Sequence, residues 1–323
     1  MSDEKRELMQ PIGRGVRAYF APVHREDSTP TVFDPSMYAG FDLDAPPEPW
    51  RDLGWIANVK RDSSSQIGCV TAGTKGIAAA QYRSSVEAKI EFDFRDWGKL
   101  QMALSANGQH MNVLASTKMG LANGSGGAPV PAVRVLEDST STRIVVGAEV
   151  QAFAAGDLIA VDVDYQQQTG YVGSGISAAY VKTPMDVMQH PDYVRRVTFN
   201  VGRVIEVTED SLLLQQPLLA GAPSTYAGVQ KVLAFAYREG GSFFQEWSAL
   251  FVVPEISGGR MCFYYPRLQS AAPAQETPIE MVHPFSSAAL HASFRALPCI
   301  DRNDSEQVVC FRTYFPAPGA PVY

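Results

Sequence analysis

The clearest pattern in the chain is a strict alternation of apolar and charged residues over positions 86–94, which read VEAKIEFDF. Apolar residues occupy every second position, and Glu87, Lys89, Glu91 and Asp93 stand between them. Because successive side chains of a strand point to opposite faces, this period of two predicts a strand with one buried face and one hydrated face.

The spacing of apolar residues changes directly after this strand. Asp96 can cap a helix, and Trp97, Leu100 and Leu104 then follow at helical spacing. Gly108 suits the C-terminal end of such a helix. The sequence therefore predicts a strand that leads into a short helix of about two or three turns.

The regions on either side of this strand and helix are less regular. Residues 56–83 contain polar, loop-like stretches between short apolar segments, and residues 119–133 form a loop rich in Gly and Pro. Residues 136–225 then contain several short strand patterns, with a two-residue turn at Glu209 and Asp210. We expect this segment to be a small β-barrel module inserted into a larger domain.

Strand patterns continue from Val229 to the end of the chain, and Gly258 and Gly259 indicate a hairpin. Little helix is expected in this part. The fold prediction is therefore mainly β: a β-sandwich or half-barrel domain of residues 56–135 and 226–323, with one short flanking helix and the inserted module.

Residues 1–55 show little periodicity and contain many prolines, which block regular elements. They also contain seven aromatic residues, which could dock on a protein surface. The segment is predicted to be an extended arm. Two arrangements are open at this point, an arm that wraps a neighbouring subunit and an arm that packs on its own domain.

Composition and charge narrow the function classes. Hydrophobic residues make up 46% of the 323 residues, which is enough for a sizeable core. The net charge of −7 argues against general affinity for nucleic acid or anionic membranes, which needs clustered Lys and Arg. The N-terminal segment has no apolar stretch typical of a secretory signal, so we expect synthesis and assembly in a cytoplasm, with no membrane partner.

Motifs for chemistry are weak throughout the chain. The segment GCVTAGTKG has Thr and Lys in the wrong order for a phosphate-binding loop, and YVGSGIS lacks the spacing of a nucleophile elbow. Asp162 and Asp164 share a strand face, which is typical of a solvated face as well as of paired carboxylates. The histidines and cysteines show no metal-ligand spacing. We expect no enzyme activity, no cofactor and no metal site.

Two parts of the chain resemble a known family. Residues 54–114 combine the alternating strand, an aromatic junction and a short helix with the pattern W-x-x-L-x-x-A-L, and residues 230–315 contain the strand segments GRMCFYYPRLQ and LHASFRALP. Together they resemble the major tail tube proteins of long-tailed phages and Mu-like prophages. The resemblance covers a little under half of the chain, and short members of the family lack the segment 136–225.

The resemblance implies a virion structural protein that assembles into stacked, hexameric rings and forms the DNA-conducting tube of the tail. It implies contacts between copies of the chain, with the arm 1–55 bridging rings, and contacts with other tail proteins such as the tape measure and the terminator. DNA would pass through without specific binding. The segment 136–225 is expected on the outside of the tube. The location implied is the virion tail, after assembly in the bacterial host cytoplasm.

Two short segments, FRDWGKL and FQEWSAL, share a Phe, an acid, a Trp and a Leu in the same order. We interpret them as structural joints at the two ends of an interrupted domain. Hydrated residues of the alternating strand, Glu87, Lys89, Glu91 and Asp93, are the candidate lumen face. The predicted core or subunit-interface anchors are Trp97, Leu100, Leu104, Trp247, Phe244, Phe263 and Phe294.

Two alternatives stay open. One is another phage structural protein of similar β build, such as a connector, capsid or decoration protein. The other is a β-sandwich carbohydrate-binding module, in which Tyr171, Tyr264 and Tyr265 would stack on a sugar.

Overall fold

A computed structural model describes residues 15–23, 29–36, 41–47, 50–72, 77–96, 98–106, 109–117, 130–162, 195–196, 198–219, 221–238, 246–256, 258–271 and 290–318. The protein is mainly β, with 56% strand and two large antiparallel sheets, so the predicted fold class is confirmed. The chain divides into two compact units. The first comprises Met1–Val23, Pro30–Ser105 and Glu246–Tyr323, and the second His24–Thr29 and Ala106–Gln245.

The strands and helices follow one another as short antiparallel elements, apart from one long pair near the N-terminus. In chain order they are β1 (Val16–Pro22), β2 (Arg51–Ala72), β3 (Ile77–Phe94), α1 (Lys99–Ala106), β4 (Gln109–Leu114), β5 (Val133–Arg134), β6 (Arg143–Val145), a 3-10 helix (Gly147–Ala152), β7 (Leu158–Asp162), β8 (Val201–Val207), β9 (Ser211–Leu214), β10 (Gly228–Arg238), β11 (Glu246–Pro254), β12 (Arg260–Ser270), β13 (Leu290–Ala296), β14 (Cys299–Ile300), β15 (Gln307–Val308) and β16 (Phe311–Phe315).

The sheet of the first unit is ring-like but is not a barrel. Its strand order is β11-β1-β2-β3-β13-β12-β16, and β11 also pairs with β12. Six strands therefore form a closed circuit of pairings, to which β16 adds at β12. The predicted hairpin at Gly258 and Gly259 joins β11 to β12, where Gly258 has a φ of +93° that suits a residue without Cβ.

Aromatic side chains fill the space that these strands enclose. Phe20 of β1 lies 5.3 Å, centroid to centroid, from Phe294 of β13, and Phe92 of β3 stacks on Phe294 at 5.8 Å. Phe251 of β11 completes the cluster and contacts Phe20, Phe92 and Tyr265. Rings converging from five strands bury a large apolar area, which is the main stabilising term available to a sheet of this kind.

Apart from Thr29, the described part of the predicted arm belongs to this unit instead of extending away from it. β1 lies inside the ring-like sheet between β11 and β2. Phe33, Phe41 and Trp50 pack with Tyr264 in a second buried cluster, and the Thr31 backbone N–H donates to Ser248 Oγ at 2.9 Å. Aromatic burial thus fixes a segment whose prolines prevent regular structure, and for these residues the arm packed on its own domain is the arrangement found.

The structure corrects the prediction that residues 56–83 contain loop-like polar stretches between short apolar segments. Residues 56–72 and 77–83 form most of a long strand pair, because β2 extends to Ala72 and β3 begins at Ile77. Residues 62–72 of β2 are exposed on both faces, apart from the half-buried Gly68, so no alternation of apolar and polar residues marks them in the sequence.

The second unit contains an open sheet with the order β4-β10-β7-β8-β9-β6, and β5 pairs with β10. The predicted turn at Glu209 and Asp210 joins β8 to β9. Because β4 and β10 belong to this sheet, the unit extends beyond the predicted module 136–225 at both ends, and its described strands do not close into the predicted barrel. Its larger buried cluster consists of Val135, Ile144, Val146, Val150, Phe153, Ile159, Val161, Val204, Leu212, Leu214, Leu218, Ala227 and Val229.

Candidate assembly surface on the β2–β3 hairpin

The hairpin of β2 and β3 has two halves with different surroundings. We name residues 51–64 and 87–94 its base half, and residues 65–72 and 77–86 its distal half. The two strands stay paired over both halves, from Ile56 opposite Phe94 to Ala72 opposite Ile77.

Neighbouring strands and the core hold most of the base half, although from Ala57 onward β3 is the one described strand that pairs with β2. β1 pairs with β2 as far as Ile56, and β13 pairs with β3 as far as Lys89. On β3, Ala88, Ile90 and Phe92 are buried, as the alternating pattern predicts. Cross-strand pairing and burial together therefore fix the register of this half, because a slip of one residue would turn the apolar side chains out into water.

The distal half has two strand edges with no partner among the described residues. The pairing of β1 with β2 and of β13 with β3 ends before this half begins. Residues 65–72 and 79–85 are exposed, except that Gly68 is half-buried. A two-stranded ribbon alone in water is marginally stable, and unpaired N–H and C=O groups along both edges are a template for another strand.

The side chains of the distal half are uncharged with one exception, Arg83, among its described residues. Three large apolar side chains are well exposed on it: Ile67 at 60%, Val70 at 52% and Tyr82 at 55%. Natural proteins commonly protect exposed strand edges with charged residues or prolines. The low charge here is typical of a strand pair that another protein surface covers.

Tyr82 and Gly68 form a specific cross-strand pair in this half. They are directly opposite each other, and a Cβ added to Gly68 would lie 2.4 Å from Tyr82 Cζ. The ring therefore lies flat over the glycine and shields its backbone, an arrangement that pins the register where burial does not.

The unburied face of the base half is polar and carries all four residues of the predicted lumen face. Glu87 and Lys89 are exposed, and Glu91 and Asp93 are half-buried. Lys60 is the neighbour of Glu91 across the hairpin. The structure brings these side chains together on one face of mixed charge, and whether that face lines a bore stays a prediction.

Asp93 is the most strongly connected residue of this polar face. Asn58 Nδ2 donates to Asp93 Oδ2 at 2.6 Å, and His291 Nδ1 lies 2.8 Å from Asp93 Oδ1. Partial burial by itself raises the pKa of Asp93, but the hydrogen bonds with Asn58 and His291 outweigh it and hold the pKa below its ordinary value. Asn58 itself has a φ of +52° at the irregularity in β2, a conformation that Asn tolerates better than most residues.

The predicted anchor residues have different positions in the structure. Trp247 is 1% exposed and lies 6.2 Å from Phe20, centroid to centroid, in the core of the first unit. Phe294, Leu100 and Leu104 are buried. Phe263, a residue of β12, is half-buried. Trp97 and Phe244 lie outside the described residues.

The aromatic platform proposed for sugar binding is not formed by the two tyrosines of β12. Tyr264 is 5% exposed, and Tyr265 is fully buried. Their rings contact Phe33 and Phe251 in the two clusters described above. Tyr171 lies outside the described residues.

Sequence reasoning did not find the distal half of the hairpin. The signals that could have found it are the run Gly73 to Gly76, which suits a turn, and the low charge of the apolar segments on either side. Among the side chains that the structure describes, no group of three or more His, Cys, Asp or Glu residues could hold a metal ion. No helix within the described ranges is long and apolar enough to cross a membrane.

No protein-family model matches the sequence. No curated protein sequence matches it.

Proposed function

We propose that the chain is a virion structural protein, the major tail tube subunit, which self-assembles into stacked hexameric rings around a DNA-conducting channel. The observation that supports this proposal best is the distal half of the β2–β3 hairpin. It is a two-stranded ribbon with exposed faces, unpaired edges and one charged side chain among its described residues.

The ribbon favours assembly for an energetic reason. Its edge backbone groups and its exposed apolar side chains contribute little stabilising free energy within their own unit. Pairing with a strand of a second copy would give the edge groups hydrogen-bond partners and would bury Ile67 and Val70. When copies pair in a closed ring, every ribbon edge has a partner and no edge is left to aggregate. The number of six copies comes from the family resemblance.

The polar face of the base half suits the channel of such a tube. It presents Glu87, Lys89, Glu91 and Asp93 together with Lys60 and Asp62 of β2. A face of mixed charge on a chain of net charge −7 gives DNA no continuous basic surface to bind, so DNA would slide past it.

The other candidate functions predict different particles. A connector would form single rings, and a capsid or decoration protein would form or cover shells. A carbohydrate-binding module needs an exposed aromatic platform, and the buried state of Tyr264 and Tyr265 removes two of its three proposed members.

The test is electron microscopy and sedimentation velocity of the purified full chain over a wide range of concentration. We expect rings and hollow tubes whose fraction rises with concentration. A protein that stays monomeric at the highest concentration reached would overturn the proposal, and closed shells would favour the capsid alternative.

A further inference from the structure

Two arginines flank a single phenylalanine on the first unit. The guanidinium carbon of Arg61, on β2, lies 5.8 Å from the centroid of the Phe263 ring, and that of Arg312, on β16, lies at the same distance. Phe263 and Arg312 are directly opposite each other in the β12–β16 pairing. Phe263 and Arg61 are half-buried and Arg312 is exposed, so this cluster, which we name the Arg–Phe–Arg cluster, is accessible to a partner.

The cluster is fixed in position by the fold. Arg61 Nε donates to the hydroxyl of the buried Tyr265 at 2.8 Å, so the guanidinium is anchored at one side. Arg312 belongs to a strand that pairs with β12 over five residues of each strand. Cys310 lies beside both: burial raises the pKa of its thiol, while the charges of Arg61 and Arg312 act in the opposite direction.

The charge of the cluster is not balanced as it is elsewhere in the same unit. Arg17 pairs with Asp52, Arg260 with Asp44, and Arg267 with Glu246. Neither Arg61 nor Arg312 forms an ion pair with a carboxylate that the structure describes. Two like charges beside one ring repel each other, and an anion placed between or beside them would be attracted by both.

We infer that the Arg–Phe–Arg cluster is the docking point for a carboxylate side chain of a second copy of this chain. This inference rests on the proposed self-assembly. A guanidinium presents a planar fork of donors that matches a carboxylate, and Phe263 offers an apolar surface for the methylene groups of an incoming Asp or Glu. The second copy is the favoured source because the chain carries 34 acidic against 27 basic residues and so supplies carboxylates in excess.

A contact of this kind has a defined consequence for assembly. In a closed ring of more than two copies, this contact would be head-to-tail and would repeat from copy to copy. It would add to the edge pairing of the hairpin and make the assembly sensitive to salt. A nucleic-acid phosphate could use the same donors, but binding a duplex needs an extended basic surface, and this chain is acidic overall.

The experiment compares Arg312→Glu and Arg312→Gln with the wild type in nuclease-treated full-length protein. The exposed position of Arg312 allows either side chain without loss of core packing. We expect the critical concentration for assembly to rise about tenfold for the glutamine variant and more for the glutamate variant, because repulsion then replaces attraction. The matched control is Arg295→Glu, an exposed arginine of β13 in the same sheet, which should assemble like the wild type.

Salt provides the second readout. Raising the salt concentration from about 0.05 M to about 0.5 M should weaken assembly of the wild type more than that of Arg312→Gln, since the screened attraction is already absent in the variant. If the wild type assembles and Arg312→Glu assembles equally well, this inference is overturned and the proposed function stands. A requirement for nucleic acid in assembly would also overturn it. A wild type that never assembles contradicts the proposed function itself.

Discussion

The two halves of the β2–β3 hairpin share one backbone ladder and differ in almost everything around it. The base half lies in a ring-like sheet, buries Ile90 and Phe92 on one face and carries charged residues on the other. The distal half has no neighbouring strand within the described chain and exposes Ile67, Val70 and Tyr82. Contacts within the first unit account for the conformation of the base half, but they do not account for that of the distal half.

The base half is stabilised within its own unit, whereas the distal half is available for contacts between copies. In the base half, burial and cross-strand pairing stabilise the strands and set their register. In the distal half, the Gly68–Tyr82 pair is the clearest contact that fixes the register within the chain. It does not supply hydrogen-bond partners for the outer edges of the two strands. The comparison predicts that changes in the base half alter folding, whereas changes in the distal half alter assembly.

The largest effect is expected from charges placed on the distal half. Replacing Ile67 and Val70 together by Lys should abolish tubes and rings, because two ammonium groups would have to be desolvated at the contact. The stability of the monomer should stay within about 1 kcal/mol of the wild type, since both side chains are exposed. Sedimentation velocity and urea denaturation measure the two quantities.

The control for this pair of substitutions is Ile300→Lys. Ile300 is 62% exposed, close to the 60% of Ile67, and lies on β14, away from the hairpin in the chain. It makes the same chemical change at equal exposure and should leave assembly intact. Loss of assembly in this variant as well would show that any added charge prevents assembly, and would contradict the assignment of the distal half as the contact between copies.

The next effect in size concerns folding through the base half. Phe92→Ala should lower the free energy of unfolding by about 3–5 kcal/mol, because Phe92 is fully buried and contacts Phe20, Phe251 and Phe294. Tyr82→Ala in the distal half is the matched aromatic truncation and should cost about 1 kcal/mol or less in the monomer. Equal losses in the two variants would contradict the division of the hairpin into two halves.

The smallest effect is expected on the polar face of the base half, at Asp93. Because the folded-state pKa of Asp93 is lowered, its contribution to stability is present above its unfolded pKa of about 3.9 and is lost as the pH falls through the folded value. Asp93→Asn should cost less than about 1 kcal/mol at neutral pH. It should also make the loss of stability in acid shallower.

Urea denaturation at neutral pH and at successively lower pH would measure both changes. Glu87→Gln is the control, since Glu87 is an exposed carboxylate on the same face of the same strand. If Asp93→Asn and the wild type lose stability in parallel as the pH falls, the hydrogen bonds to Asp93 do not contribute as described.

The parts of this fold that the sequence predicts are those in which local pattern and burial agree. The alternation over residues 86–94 predicts both a strand and its buried face, and Ala88, Ile90, Phe92 and Phe94 are indeed buried. The switch to helical spacing after Asp96 predicts α1. In both cases a single buried face imposes a period that the residues themselves display.

The parts that the sequence did not predict lack this agreement. The distal half of β2 has no buried face and hence no period, so the serine run 63–65 and Gly68 suggest a loop. The prolines of residues 1–55 indicate an arm, but the contacts of Phe33 and Trp50 with Tyr264 are made across more than 200 positions of sequence. The Arg–Phe–Arg cluster likewise joins three strands whose neighbourhood only the fold determines.

Hydrogen exchange at residues 65–72 and 79–85, in the monomer and in the assembled protein, tests whether the distal half is the contact between copies. We expect fast exchange of the outward-facing edge amides in the monomer and strong protection after assembly, while the amides of the base half around Ile90 and Phe92 are protected in both states. Equal exchange of the distal half in the two states would contradict the claim that this half is the assembly contact.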